Sequence, residues 1–173
     1  MQPYTHLAIG AAVAEVFFPG QYPAEAACVI ASVAPDFTMV PQYGFDLLAG
    51  RTPMIQQSSR LMLVKEIGHS LPLWALLGIL SMFLTPPLQP IVLAAGIGGL
   101  IHCIVDVFTH GTGPKEKRPF WDTDVKFMWP TRIDLRPLGL WEYRTGYGVR
   151  MPKPFEALVL ICCLAFVAWR ILQ

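Results

Sequence analysis

The sequence predicts an all-α fold, namely a small polytopic helical membrane protein with about five apolar helices. Of its 173 residues, 54% are hydrophobic and only 14% are charged, and its mean hydropathy is +0.47. A chain this apolar and poor in charge is not typical of a soluble domain. The run from Leu88 to Phe108 is also long enough, at about 1.5 Å per residue, to cross a hydrocarbon core of about 30 Å.

Five apolar segments follow one another along a single integral membrane domain, residues 1–173. Proline or glycine closes several of them, and the third is expected to kink at Pro72. The first two are shorter than the usual span of about 20 residues, so they form either a re-entrant hairpin or tilted partial spans. The first lacks the basic start of a signal peptide, so we expect it to be retained. The segments are Thr5–Phe18, Pro23–Val33, Arg60–Leu84, Leu88–Phe108 and Phe155–Leu172.

The long polar segment, residues 111–154, separates the fourth apolar run from the last span, residues 155–173. It carries most of the lysine and arginine and several aromatic residues, a mixture typical of a segment lying at the membrane interface. The expected interface anchors are Phe120, Trp121, Phe127, Trp129, Trp141 and Tyr143. With a net charge of +1 and no recognition motif, nucleic acid is not an expected partner, whereas membrane lipids are.

The four cysteines all lie in apolar runs without CxxC spacing: Cys28, Cys103, Cys162 and Cys163. This pattern argues against a disulfide framework or a thiolate metal site. We expect them to be small apolar residues of the core or of the lipid-facing surface.

Three ionisable residues interrupt the end of the fourth apolar segment. His102, Asp106 and His110 are spaced by four and therefore lie close to one face of a helix. An ionisable group inside a membrane span costs about 2.5 to 3.5 kcal/mol on insertion scales. These side chains are therefore expected to be paired, to face water or to bind a metal ion.

Alternating crossings of the membrane would bring further polar residues to the same side. The start of the first segment, the end of the second, the start of the third and the end of the fourth would then meet. Those places hold His6, Asp36, Glu66 with His69, and His102 with Asp106 and His110. Each has a simpler explanation alone: His6 could be a surface cap, Asp36 a turn residue and Glu66 a surface partner of Lys65 or Arg60. Their coincidence favours one site.

The side of the membrane follows from the charged residues. The connections at residues 19–22 and 86–90 contain no lysine or arginine, whereas Arg51, Arg60, Lys65 and the basic polar segment lie on the side of the site. The positive-inside rule then predicts that the site and the N-terminus are cytoplasmic.

Histidines with one or two carboxylates and no thiolates are typical of a hydrolytic zinc site or a similar divalent site, with one or two ions. The spacing of His102 and Asp106 allows both to bind one ion from one helix face. An ion of this kind makes water a nucleophile near neutral pH and polarises a phosphoryl or carbonyl oxygen. Glu66 is the candidate general base, and Asp36 is a second carboxylate that could act in catalysis.

Several short motifs carry a resemblance to a known family: THLAIGA at the N-terminus, APD at 34–36, GHS at 68–70, and GLIHCIVDVFTHG followed by FMWP. The chain resembles the bacterial inner-membrane metal-dependent hydrolase family, often called YdjM-like, a distant relative of the zinc-dependent phospholipase C and nuclease superfamily. The resemblance implies a helical inner-membrane protein with metal ligands at His6, Asp36, His69, His102 and Asp106. Thr38 replaces the second acid usual after APD, and KEIGH at 65–69 replaces the family's HRG-x-TH run.

The sequence thus predicts a membrane-embedded metal-dependent hydrolase, with phosphoesters of a lipid or of a soluble compound as expected substrates. The phosphoester class follows only from the superfamily analogy. The alternative is a non-catalytic membrane protein in which the polar cluster is a structural metal site or a hydrogen-bonded network. A transporter is a third and weaker interpretation, because the polar residues lie on one side and no internal repeat is visible. The sequence does not indicate an oligomeric state.

Overall fold

Helices are the regular secondary structure of the described part of the chain, with no strand among the described residues. The computed structural model describes residues 3–38, 40, 44, 48–50, 59–109, 126–133, 135 and 153–173. Its helices are α1 (Pro3–Phe17), α2 (Tyr22–Ala31), α3 (Ala34–Phe37), α4 (Ser59–Gly68), α5 (Leu71–Ser81), α6 (Leu88–Thr109) and α7 (Lys153–Ile171). The all-helical prediction is confirmed for these residues.

The third predicted helix, Arg60–Leu84, is not continuous, and its division into α4 and α5 places His69 in the connection. Pro72 stands in the first turn of α5, where its missing N–H is tolerated, but a helix continuing from α4 would bring its ring against the carbonyl of Gly68. That carbonyl instead accepts a hydrogen bond from Trp74 Nε1 at 2.7 Å. Ser70 caps α5 by accepting from the Leu73 N–H at 3.3 Å. The expected kink at Pro72 is therefore a break.

Helix α6 lies in the middle of the fold, packed along α2 and α5, while α1 packs against α2 and α7. The buried apolar side chains are mostly small, whereas many large ones are exposed. The buried set includes Ala8, Ala14, Ala24, Ala31, Ala94, Cys28 and Cys103. The exposed set includes Leu76, Ile79, Leu80, Ile161, Leu164 and Trp169. Small residues between helices and large apolar residues outside are typical of helix packing in a lipid environment.

The expectation that cysteines act as small core residues is confirmed for Cys28 and Cys103. All four are free thiols. Cys28 and Cys103 are fully buried, and Cys162 is exposed on α7. They therefore serve as small packing or surface residues rather than as cross-links.

Glycines allow α6 to approach its neighbours closely. A Cβ on Gly98 would lie 2.2 Å from the carbonyl oxygen of Cys28 in α2. A Cβ on Gly99 would lie 2.0 Å from the indole of Trp74 in α5. No side chain fits at either position, so these contacts set how near α2 and α5 come to the helix that carries His102.

Only α6 is long and apolar enough, among the described helices, to cross a membrane by these two criteria. Shorter apolar helices are present at Tyr22–Ala31, Leu71–Ser81 and Ala157–Ile171. Five crossings therefore stay a prediction, as does the division of the chain into one membrane domain with an interfacial segment.

One expectation about surface residues is wrong. Phe127 is fully buried, packed with Cys103 and Val107, so it is a core residue rather than an interface anchor. Lys65, counted among the basic residues on the side of the site, is only 3% exposed. The other expected anchors, apart from Trp129, lie outside the described residues, as does Arg51.

We predict that Gly98→Ala lowers the free energy of unfolding by about 1 to 3 kcal/mol, because the added methyl group forces the α2 backbone away. Thermal unfolding of the full chain in detergent measures the change. Gly78→Ala is the matched control, since a Cβ at Gly78 meets no atom within 4 Å. Equal stability of the two variants would contradict the packing described here.

Candidate metal centre

Four residues predicted from the sequence meet in one cluster: Asp36, His69, His102 and Asp106. Each offers one potential ligand atom, and these atoms all lie within 4.8 Å of one another. His69, His102 and Asp106 are at most 2% exposed, whereas the Asp36 side chain is 26% exposed. The expected convergence of the chain's polar residues on one site is confirmed for these four.

The carboxylate of Asp106 is the centre of the cluster. Its Oδ2 lies 3.2 Å from His102 Nε2 and 3.6 Å from His69 Nε2. Its Oδ1 lies 3.2 Å from His6 Nε2. Asp106 follows His102 by four residues on α6, and this spacing places both side chains on one helix face as predicted.

Asp36 completes the cluster from α3. Its Oδ1 lies 3.8 Å from His102 Nε2 and 3.9 Å from His69 Nε2. The turn at residues 32–33 lets α3 begin just after α2 ends, and Pro35 is suited to the first turn of such a helix. Asp36 was expected at a sharp turn, and it lies in this short helix immediately after one.

His6 adjoins the four-residue group from the first turns of α1. Its ring stacks on that of His102, with centroids 4.0 Å apart and an interplanar angle of 29°. It is 1% exposed, so the idea of a polar cap at the surface is wrong. His6 contacts the Oδ1 of Asp106, the oxygen directed away from His69 and His102.

Backbone carbonyls orient two of the imidazole rings. His102 Nδ1 lies 2.8 Å from the Ser32 carbonyl oxygen, and His69 Nδ1 lies 3.0 Å from that of Lys65. A carbonyl oxygen only accepts, so each Nδ1 carries the hydrogen and donates it. In a neutral ring the Nε2 atom is then a bare acceptor, directed at the carboxylates. Metal-binding histidines are held in this way by the hydrogen bond of their other nitrogen.

Several buried polar atoms of the cluster make no hydrogen bond, namely His6 Nε2, His102 Nε2 and Asp36 Oδ2. Although His102 Nε2 is 3.2 Å from a carboxylate oxygen, the geometry of a hydrogen bond is not met. A buried polar atom without a partner costs about 1 to 3 kcal/mol. A cation between the nitrogen and oxygen atoms would satisfy them together.

The donor set fits zinc. Nitrogen and oxygen ligands bind zinc at about 2.0 to 2.2 Å in a tetrahedral arrangement, which holds neighbouring ligand atoms about 3.3 Å apart. The four Nε2-to-oxygen distances within the group range from 3.2 to 3.9 Å. The ligand atoms of the group are up to 4.8 Å apart, so binding one ion would draw the wider pairs closer together.

Ser32 is a residue of the site that the sequence reasoning missed. Besides the carbonyl that orients His102, its Oγ lies 3.1 Å from the carbonyl oxygen of His6 and 2.7 Å from that of Val29. A Cβ on Gly10 would lie 2.1 Å from this Oγ. Ser32 therefore holds α1, the end of α2 and α6 together. The sequence did contain a signal for this role, since Ser32 is a single polar residue at the end of an apolar helix, just before the APD motif.

Glu66, another predicted site residue, is not part of the group of four. The carboxylate Oε1 of Glu66 lies 3.4 Å from Lys126 Nζ, a partner that the simpler explanation did not name. Its role as a general base stays a prediction, as does the catalytic role of Asp36. His110 lies outside the described residues.

Comparison with known proteins supplies a family. The model of a family described as YdjM inner membrane protein matches residues 1–173, which is the full chain. No curated protein and no solved structure matches the chain significantly. The family description supports an inner-membrane location.

We predict that zinc stabilises the folded protein through this cluster. At a free concentration of about 100 times the dissociation constant, zinc should raise the free energy of unfolding by about 2.7 kcal/mol. Asp106→Asn should remove most of this gain, because it takes the charge from the carboxylate shared by three imidazoles. Thermal unfolding with and without zinc measures the effect, and Glu25→Gln on α2 is the control. An equal gain in wild type and Asp106→Asn would contradict the assignment.

Proposed function

The chain belongs to the YdjM inner membrane protein family over its whole length, and we propose that it is a membrane-embedded, metal-dependent hydrolase. The observation that carries the proposal is the buried cluster of imidazoles and carboxylates, with polar atoms of His6, Asp36 and His102 that make no hydrogen bond and with the Asp36 side chain partly exposed. A structural metal site is normally closed by its protein ligands, whereas a catalytic site keeps a position open. Four protein ligands would close a tetrahedral ion, so catalysis requires one of them to give up its position to water or substrate. Asp36 is our candidate, because its side chain is 26% exposed while those of His69, His102 and Asp106 are buried.

We place one zinc ion among Asp36, His69, His102 and Asp106. A second ion could be bound by His6 Nε2 and the Oδ1 of Asp106. The second acid that is usual after the APD motif would not contribute, because Thr38 stands in its place. Thr38 donates its hydroxyl hydrogen to the Pro35 carbonyl at 2.7 Å, so it closes a turn instead. When bound, the ion supplies Lewis acidity and lowers the pKa of water to near neutral.

The residues of the chain would divide the remaining work. His69 and His102, oriented by backbone carbonyls, hold their Nε2 atoms in place. The buried carboxylate of Asp106 would neutralise part of the positive charge of the ion. Asp36, whose side chain is partly exposed, borders the space that a substrate would enter and is the better placed of the two carboxylates expected to act. Glu66 remains our second candidate for accepting a proton from water.

For the substrate we propose a phosphoester of a lipid or of a soluble compound. The metal chemistry suits phosphoryl transfer to water, and the choice of phosphoester over other esters rests on the resemblance to the zinc-dependent phospholipase C and nuclease superfamily. Exposed Phe37, next to Asp36, would offer an apolar contact to a lipid.

We further propose that the shorter apolar helices cross or enter the bilayer beside α6, with the site at the cytoplasmic face. The exposed large apolar side chains of α5 and α7 support contact with lipid rather than water. The connections at residues 19–22 and 86–90 contain no lysine or arginine, as the positive-inside rule expects for the non-cytoplasmic side; Arg170, which lies 4.0 Å from Glu15 near the end of α1, is an exception.

We predict that zinc-loaded protein hydrolyses a member of a panel of phosphodiesters, phosphomonoesters and phospholipids, and that His102→Ala lowers kcat/KM at least about 100-fold by removing a metal ligand. Phosphate or alcohol release, measured in detergent and in vesicles, tests this, with Glu25→Gln as the control. No turnover of the panel by fully loaded protein would reject the hydrolase and favour a structural metal site.

A further inference from the structure

A turn from the long polar segment docks beside the cluster. We call residues 126–130 the docking turn; within it the Trp129 N–H donates to the Lys126 carbonyl at 3.0 Å. The carbonyl of Phe127 accepts from the Leu71 N–H at 2.8 Å, and that of Trp129 accepts from the Ser70 hydroxyl. Leu71 is the first residue of α5, and the N–H of a first helical residue has no hydrogen-bond partner within its own helix. The docking turn supplies that partner through the Phe127 carbonyl. The start of α5 and the docking turn are thus fixed to each other.

This contact places the ring of Phe127 against His69. The two ring centroids are 6.5 Å apart with an interplanar angle of 68°, an edge-on arrangement that aromatic pairs favour. His69 follows the last residue of α4, Gly68, and its N–H still donates to the Lys65 carbonyl at 3.0 Å, which fixes its backbone to the end of that helix. Its ring is held by the Lys65 carbonyl at Nδ1 and packed by fully buried Phe127.

One ion pair joins the docking turn to the same helix end. Lys126 Nζ lies 3.4 Å from Glu66 Oε1, with the lysine side chain 65% exposed and the glutamate 13% exposed. Glu66 precedes His69 by three residues. The polar segment is therefore connected to α4 by charge and to the start of α5 by hydrogen bonds, on either side of His69.

We propose that Phe127 is a positioning residue of the metal centre, and that the Glu66–Lys126 pair holds the docking turn so that the His69 ring keeps its Nε2 directed at Asp36 and Asp106. The inference rests on the proposed metal-dependent function. It makes metal affinity depend on a segment far along the chain, and it leaves the Asp36 side as the route of entry. Interactions that orient a metal ligand typically change affinity by about 10 to 100-fold when removed.

The experiment measures zinc affinity of the full chain in detergent, by competition with a chromophoric chelator, together with the visible spectrum of the Co²⁺-loaded protein. Phe127→Ala should weaken zinc binding about tenfold or more and change the Co²⁺ spectrum, and Phe127→Leu should restore most of the affinity. Ile133→Ala is the control, since Ile133 is 61% exposed in the same segment. Lys126→Glu should weaken binding about two- to fivefold, and the exchanged pair Lys126→Glu with Glu66→Lys should restore it.

The outcomes separate this inference from the function on which it rests. Wild type that binds no zinc overturns both. Wild type that binds zinc, with folded Phe127→Ala binding equally well, overturns only the positioning role. Should Phe127→Ala fail to fold, the charge variants decide: unchanged affinity in Lys126→Glu, or a loss that the exchanged pair does not restore, overturns the proposal. A loss restored by the exchange supports it.

Discussion

The carboxylate of Asp106 is the interaction on which the rest of the structure depends. It is fully buried and lies within 3.6 Å of an Nε2 atom from each of three histidines. A buried charge is tolerated only when it is paired or coordinates a metal. The folded chain must therefore bring α1, the end of α4 and α6 to one point and keep them there.

The packing of the helices serves that requirement. Gly10 lets α1 reach Ser32, and Gly98 lets α6 approach the Cys28 carbonyl. Small side chains at these contacts allow the backbones to come close, and Ser32 then links the three elements through its hydroxyl and carbonyl. A metal ion would supply the positive charge that attracts the convergent nitrogen and carboxylate oxygen atoms. Because those atoms come from different helices, helix packing and metal binding would depend on each other.

Much of the site could be predicted from the sequence, because its residues interrupt apolar runs. His102 and Asp106 fall on one face by helical spacing, and the alternation of apolar segments brought His6, Asp36 and His69 to the same place. The connection at His69 and Ser70 was missed, since the apolar pattern continues past Pro72 and only the cap and the Trp74 hydrogen bond reveal the break.

Other features depend on tertiary contacts that no local pattern carries. The sequence does not distinguish a buried Phe127 from an aromatic residue at the membrane interface, because both suit a mixed polar and aromatic segment. The buried position of Phe127 follows from hydrogen bonds that the carbonyls of Phe127 and Trp129 accept from Leu71 and Ser70 at the start of α5, more than fifty residues earlier in the chain. The pairing of Glu66 with Lys126 is likewise a long-range contact, and the nearer basic residues were the obvious partners from sequence alone.

The central claim is that the cluster around Asp106 is a metal centre, and metal content tests it most directly. Plasma mass spectrometry of detergent-purified protein, after incubation with zinc and removal of the excess, counts bound ions per chain. The account predicts near-stoichiometric zinc in the wild type, and its loss in folded His102→Ala and Asp106→Ala. A wild-type protein without bound metal, or variants that retain it fully, would contradict the account and leave a cluster of buried imidazoles and carboxylates without a metal function.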